Sequence, residues 1–337
     1  MEKERIIYLD SAKGLAIFLM VFAHSIAWNL NNYQTVLSLT PTKSLSNITG
    51  GILWQLIYSF HMPLFFFISG YLTSSPAAKQ YLNKIIKRSK QLLIPWITTG
   101  FIILAVKGYF GYWFLLSLWQ LSLTGYLFHY ISSKVNKKQI ILSDLILAFI
   151  FFIILKLVFQ EHFKFNFADL GKFQIFFLPF ILGILIRKHS RLANISLNTK
   201  YLSFYYITFI LLFCSRYLEF ISNENLYFIL IRKIAQYCLP IIGSLAVIVF
   251  FKSQPNTTGF LNKIGTKSLS IYVFHILFVI QIPLIGEWII AQSPVTCITL
   301  QLIYHSLLSF IAIYLSLGIE TIISHATFIK VALLGSK

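Results

Sequence analysis

Three polar side chains interrupt the otherwise apolar segment 14–28 and the amphipathic residues before it: Asp10, Lys13 and His24. On an α-helix, Lys13 and His24 lie within about 20° of each other, and Asp10 lies within about 60° of both. The helical rise places the imidazole ~16 Å from the lysine along the axis. An ionisable side chain this deep in an apolar helix indicates a site that faces the protein interior. The structural alternative makes Asp10 and Lys13 an interfacial anchor pair and His24 a hydrogen-bonded packing residue.

Two later apolar segments carry further candidates for substrate binding. His61 precedes Pro63, and a proline inside a helix removes a backbone donor and bends the helix, as in spans that line cavities. Ser268, Tyr272 and His275 recur at i, i+4 and i+7, which places them on one polar helix face. The alternatives are a capped broken turn at His61 and a hydrogen-bonded stripe that packs against another helix.

A basic segment, LNKIIKRSKQLLIPW at 82–96, follows the apolar segment that contains His61. Lys87, Arg88 and Lys90 lie there, close to a helix end, and such a cluster suits a polyanion such as a nucleotide phosphate. Basic residues beside a membrane span also orient the span and bind lipid headgroups without any further role. The sequence leaves both interpretations open.

The composition excludes a soluble globular protein, because 57% of the 337 residues are hydrophobic and only 11% are charged. We therefore predict an all-α fold, a polytopic membrane bundle of about ten transmembrane helices in a single domain, 1–337. The predicted spans are 9–30, 52–73, 92–107, 109–131, 140–159, 173–187, 201–221, 227–251, 268–291 and 296–323.

The positions of the basic residues favour a membrane role over nucleic-acid binding, despite the net charge of +18. About twenty of the 28 Lys and Arg residues fall on one side of the predicted bundle, which the positive-inside rule assigns to the cytoplasm together with both termini. Anionic membrane lipids are the expected partners of these loops. The three cysteines show neither a disulfide framework nor a metal-ligand spacing, so we expect no metal.

No glycine-rich phosphate loop or nucleophile elbow occurs in the chain, so a transferase that uses histidine as general base is the most economical enzymatic interpretation. A rival from another class is an exporter or flippase of a surface glycan, in which the polar stripes line a translocation path. A structural scaffold would leave the buried Lys13 and His24 unexplained.

Several segments together resemble acyltransferase family 3, membrane proteins that include O-acetylases of surface polysaccharides and fucose 4-O-acetylase-like enzymes. The most specific is YLDSAKGLAIFLMVFAHS at 8–25, with a basic residue, ten others and a histidine. The other segments that carry the resemblance are FHMPLFFFISGYL at 60–72, LLIPW at 92–96, WFLLSL at 113–118, FFLPFILGILI at 176–186 and IGTKSLSIYVFH at 264–275.

The resemblance implies an enzyme of the bacterial inner membrane that takes acetyl from cytoplasmic acetyl-CoA. The acceptor would be a sugar hydroxyl of an envelope polysaccharide or its lipid-linked precursor, although succinyl or another small acyl donor is an open alternative. His24 would be the catalytic base or acyl carrier, and Lys13 its basic partner in the motif. Lys13 and Asp10 would hold the thioester end of the donor or set the charge near His24.

One departure from the family pattern concerns the donor phosphates. The family often shows Arg-x-x-Arg before the proline of its third span, where this chain offers Lys87-x-x-Lys90 or Arg88-x-x-Gln91. Lysine keeps the charge but lacks the bidentate fork of arginine. The resemblance therefore implies phosphate binding by Lys87, Arg88 and Lys90 without deciding among them.

Overall fold

The computed structural model describes residues 5–29, 45–75, 80–108, 110–136, 138, 140–161, 172–217, 226–254 and 259–335. Within these ranges the regular elements are α-helices and short 3-10 turns, without a strand. The helices are α1 (Ile7–Asn29), α2 (Leu45–Leu72), α3 (Tyr81–Lys107), α4 (Trp113–Val135), α5 (Ile141–Glu161), α6 (Phe177–Lys188), α7 (Ser190–Ser196), α8 (Leu202–Tyr217), α9 (Leu226–Ser253), α10 (Phe260–Thr266), α11 (Ser268–Phe278), α12 (Pro283–Ile290), α13 (Pro294–Ser324) and α14 (Thr327–Leu334). The 3-10 turns are Lys172–Phe176 and Thr199–Tyr201.

Among the described residues, seven helical segments are long and apolar enough to cross a membrane, or eight if the bent pair α11 and α12 forms one span. The predicted helical membrane bundle is confirmed, whereas the count of about ten spans stays a prediction. The structure also extends the third predicted span toward its amino end, since α3 begins at Tyr81 and contains the basic segment.

The ninth predicted span, 268–291, is not continuous. α11 ends at Phe278, α12 begins at Pro283, and the two helices are bent by 96°. Pro283 lies at the first position of α12, where its missing backbone N–H would have no partner within the helix. The side chain of the buried Asn29 forms hydrogen bonds to the backbone of the break. Its Nδ2 donates to the carbonyl of Ile280 at 3.1 Å, and its Oδ1 accepts from the amide of Ile282 at 2.7 Å. Irregular backbone in a membrane protein requires such partners.

The chain divides into two compact units. The first unit comprises Met1–Phe65 and Leu197–Glu320, and the second comprises Phe66–Ser196 and Thr321–Lys337. This division does not test the prediction of a single domain over 1–337, which stays a prediction. Each unit carries one of the two groups of candidate residues.

In the first unit, α1 packs against α9, α10, α11 and α12. Its contact with α10 is backbone to backbone, because a Cβ at Gly14 would meet the carbonyl of Leu261 and a Cβ at Gly265 would meet that of Asp10. Small residues allow membrane helices to approach this closely. The glycines therefore fix the helix that carries Asp10, Lys13 and His24.

In the second unit, α4 packs against α3, α5 and α6, and α14 packs against α3. A fully buried carboxylate, Asp144 at the start of α5, ties the carboxyl-terminal end of α6 to α4. It pairs with Lys188 at 2.6 Å, and Ser132 donates to it at 2.5 Å. A buried charge that is paired and hydrogen-bonded in this way holds these three helix ends in one arrangement.

Candidate active site

The imidazole of His24 projects from α1 into the first unit, toward α11. Its Nδ1 lies 2.8 Å from Nε2 of His275, and the two ring planes are within 16° of each other. One helical turn further along α1, the indole of Trp28 lies parallel to the His24 ring within 9°, with the ring centroids 5.5 Å apart. A neighbouring helix and a neighbouring aromatic ring thus fix the orientation of His24.

The contacts of His275 assign the protons of this pair. His275 is fully buried, and its Nδ1 lies 3.0 Å and 2.8 Å from the carbonyl oxygens of Ile271 and Tyr272. A carbonyl oxygen only accepts, so Nδ1 of His275 is the donor and Nε2 of the neutral ring is the acceptor. The hydrogen on Nδ1 of His24 then points to His275, which places the lone pair of a neutral His24 on Nε2. This is the orientation that a general base or nucleophile requires.

A third imidazole, that of His61 on α2, lies within electrostatic range of His24 in the same unit. It is fully buried, and its Nδ1 donates to the carbonyl of Ile57 at 2.8 Å. The lone pair of His61 is therefore on Nε2, and within the described part of the chain this buried atom has no hydrogen-bond partner. A buried acceptor without a partner calls for a donor from elsewhere, such as a substrate.

The aromatic residues of α2 fix His61 in place. The Tyr58 ring meets the His61 ring edge-on with centroids 4.7 Å apart, and Trp54 stacks on Tyr58 at 4.1 Å. Trp54 also belongs to an apolar cluster with residues of α1, including Phe22 and Ile26. The packing of α1 on α2 accordingly brings His61 toward His24.

Sequence reasoning missed a second layer of polar residues around the same helix. His305 on α13 is buried, and its Nδ1 lies 2.9 Å from the hydroxyl of Ser25. The Tyr304 hydroxyl donates to Oδ1 of Asn29 at 3.3 Å. The sequence signal for this second layer was that Ser25 and Asn29 follow His24 in an otherwise apolar helix. Polar residues so deep in such a helix indicate polar partners on neighbouring helices.

Lys13 and Asp10 form an ion pair near the other end of α1, with 2.5 Å between Nζ and Oδ1. Asp10 is buried, while the side chain of Lys13 is 22% exposed. The helical rise keeps this pair ~16 Å from His24, so the two groups share a helix without touching. The pair can set the charge near that end of α1, and its predicted role toward the donor stays a prediction.

The polar face predicted on the ninth span is divided between a partly exposed end and a buried end. Ser268 is the first residue of α11 and is partly exposed. Tyr272 is buried, with its ring centroid 6.1 Å from that of His275. His275 is the residue of this face that hydrogen-bonds to His24. Substrate binding by Ser268 and Tyr272 stays a prediction.

The basic candidates belong to the second unit, on α3. Arg88 is turned toward α4, where its Nε donates to the hydroxyl of Ser122 at 3.2 Å. Lys87 and Lys90 are exposed on the other side of the helix. The structure thus separates the three predicted phosphate ligands into one inward and two outward side chains.

Comparison with known proteins bears on the identity of this site. No curated protein and no solved structure matches the chain. The family model described as the acyltransferase domain of acyltransferase family 3 matches residues 6–321, which include both the α1 motif and the α11 histidine. The match covers nearly the whole chain and confirms the resemblance found in its motifs. The chain therefore belongs to acyltransferase family 3 and is a multi-pass membrane acyltransferase.

Proposed function

We propose that this enzyme is an O-acetyltransferase of the bacterial inner membrane with both termini in the cytoplasm. It would move acetyl from cytoplasmic acetyl-CoA to a sugar hydroxyl of an envelope polysaccharide or its lipid-linked precursor. The observation that carries the proposal is the His24–His275 hydrogen bond, because it directs the lone pair of His24 away from its partner ring. The proposed chemistry uses no metal ion.

In the base route, Nε2 of His24 accepts the proton of the sugar hydroxyl while the hydroxyl oxygen bonds to the thioester carbonyl carbon. The carbon–sulfur bond then breaks, and His24 returns the proton to the departing thiolate, so the products are an acetyl ester and free CoA. While His24 carries the extra proton, its Nδ1–H donates to His275 as a charge-assisted bond. His275 is thus a positioning residue with the role that the carboxylate has in a catalytic triad.

In the carrier route, Nε2 of His24 itself bonds to the thioester carbon and CoA leaves as the thiolate. The resulting acetyl-imidazole then passes its acetyl group to the sugar oxygen, whose proton goes to the solvent or to the thiolate. Both routes need the same lone pair and the same orientation by His275. A covalent acetyl group on His24, trapped in the absence of acceptor, would select the carrier route.

His61 is proposed to hold the acceptor sugar. Its buried Nε2 is an acceptor without a partner among the described residues, and a hydroxyl beside the reacting one on a sugar ring is a donor of suitable size. Binding of such a hydroxyl would satisfy the imidazole and align the reacting oxygen. Ser268 and Tyr272 are proposed as further contacts to this substrate.

The charged candidates are proposed to hold the donor. Lys13 and Asp10 would set the charge around the thioester end, whereas Lys87, Arg88 and Lys90 would attract the phosphates of CoA. Arg88 is the inward member of that group and has the planar fork that phosphate binding favours. Arg88 is therefore the first of the three residues to replace when binding of the CoA phosphates is tested.

Mass spectrometry of envelope glycans tests the proposed function in cells. Glycans from cells that lack the gene should lose acetyl esters, and the wild-type gene should restore them while His24→Ala should not. His325→Ala removes an exposed imidazole near the end of α13 and should restore them fully. Unchanged glycans in the deletion strain would refute the proposed acceptor class, and a succinyl ester in place of acetyl would change the donor.

A further inference from the structure

A cavity of about 400 Å³ lies in the second unit, where the ends of three helices meet. Its polar lining includes Ser74 and Ser75 after α2, His129 and Ser133 on α4, and Arg187 and Lys188 at the end of α6. A cavity of this size is in the range of sites for small molecules. The positive-inside rule assigns this side of the bundle to the cytoplasm.

The charge of Lys188 is balanced inside the protein. Its Nζ lies 2.6 Å from Asp144 and 2.5 Å from the Ser132 hydroxyl, and Nε2 of His189 contacts the same carboxylate at 2.7 Å. Asp144 is fully buried, so this ion pair is a fixed part of the cavity wall. Lys188 therefore forms part of the cavity wall, and any net positive charge of the cavity comes from other residues.

Arg187 supplies that net charge. Its guanidinium lies 5.3 Å from the centroid of the Tyr71 ring, and no carboxylate in the described ranges forms an ion pair with it. A second cation is close, since Nζ of Lys84 donates to the hydroxyl of Ser74 at 3.2 Å. The helix dipole alone favours a basic residue such as Arg187 at the carboxyl end of α6. It does not explain why hydroxyl groups line the cavity beside it.

Guanidinium and hydroxyl groups around a positively charged cavity match the chemistry of a phosphate group, which has several acceptor oxygens and a negative charge. We propose that the cavity at the ends of α2, α4 and α6 binds a phosphate group, with Arg187 as its principal ligand. Two sources share this chemistry: a phosphorylated nucleotide from the cytoplasm and the headgroup of an anionic lipid. The choice of nucleotide as the soluble probe rests on the proposed function, whereas the phosphate site itself does not.

Binding to the full-length protein in phosphatidylcholine nanodiscs tests the site with adenosine 3′,5′-bisphosphate as probe, which carries no acyl group. Arg187→Gln should raise the dissociation constant about tenfold, since a charge-assisted hydrogen bond of this kind is lost. Arg191→Gln removes the same charge from the same segment, at an exposed position outside the cavity lining, and should change the constant less than twofold. Ser75→Asp, at an exposed position of the lining, should weaken binding by repulsion.

A second arm measures retention of phosphatidylglycerol over phosphatidylcholine by native mass spectrometry of the same variants. A loss of nucleotide binding in Arg187→Gln identifies the soluble source, and a selective loss of phosphatidylglycerol identifies the lipid. If neither measurement distinguishes Arg187→Gln and Ser75→Asp from Arg191→Gln, the phosphate site is refuted. The absence of glycan acetylation in cells with intact nucleotide binding would refute the proposed function alone.

Discussion

Replacement of His275 isolates its proposed effect on His24. His275→Phe keeps a ring of similar size but removes the acceptor for Nδ1–H of His24, whereas His275→Gln can place an amide oxygen near the position of Nε2. The lost interaction is a hydrogen bond to a group that becomes charged, which contributes about 1.5–3 kcal/mol. At about 1.36 kcal/mol per tenfold change in rate, kcat of His275→Phe should fall by roughly 10- to 150-fold. His275→Gln should recover part of that loss.

The assay is release of CoA thiol by purified protein in nanodiscs, at saturating acetyl-CoA and with the glycan that is identified in cells as the acceptor. Because His275 contacts His24 and the loss arises only in the charged state, kcat should fall while KM for the glycan stays within about twofold. His305→Phe is the matched control: it removes another buried imidazole of the first unit, whose ring nitrogen hydrogen-bonds to Ser25, and should retain most of kcat. A wild-type kcat in folded His275→Phe would refute the role assigned to His275.

Three further predictions concern residues that hold the fold. Asn29→Leu leaves backbone groups of the break at 279–282 without partners, at about 1–3 kcal/mol for each group, so the melting temperature should fall clearly. Gly265→Ala introduces a Cβ against the Asp10 carbonyl and should lower both the melting temperature and activity, because α1 must shift. Asp144→Asn breaks a buried ion pair and should cost up to about 3–5 kcal/mol of unfolding free energy, measured as loss of folded protein in detergent.

Two control variants separate these effects from general sensitivity. Gly318→Ala adds the same methyl group where a Cβ meets nothing within 4 Å, and it should not lower the melting temperature. Glu320→Gln removes a carboxylate from an ion pair with the partly exposed Lys267, which should cost at most about 1 kcal/mol. If the controls lowered stability as much as the test variants, the specific contacts would not be the cause.

The sequence predicts the helical membrane class and the α1 motif, because both depend on local pattern. An apolar run of membrane-spanning length is visible in the chain, and helical geometry alone relates Lys13 to His24. The partner of His24 was not predictable in this way. His275 lies 251 residues away, and only the packing of α11 on α1 brings Nε2 of one ring to Nδ1 of the other.

Two differences have local causes that the sequence contains in weaker form. The break after Phe278 depends on Asn29, a distant residue, although Pro283 marks the start of the next helix. On α3, Lys84 and Arg88 are four residues apart and share a face, whereas Lys87 lies about 100° away on the exposed side. The phase of the helix, rather than the number of charges, decides which basic side chain turns inward.

In the proposed reaction, the lone pair on Nε2 of His24 performs the acyl transfer. His24→Asn tests it most directly, because the asparagine amide can still donate to His275 but has no basic nitrogen. We predict that purified His24→Asn in nanodiscs stays folded, still binds adenosine 3′,5′-bisphosphate, and transfers no acetyl from radiolabelled acetyl-CoA to the glycan. Transfer by His24→Asn at a rate close to that of the wild type would contradict the claim.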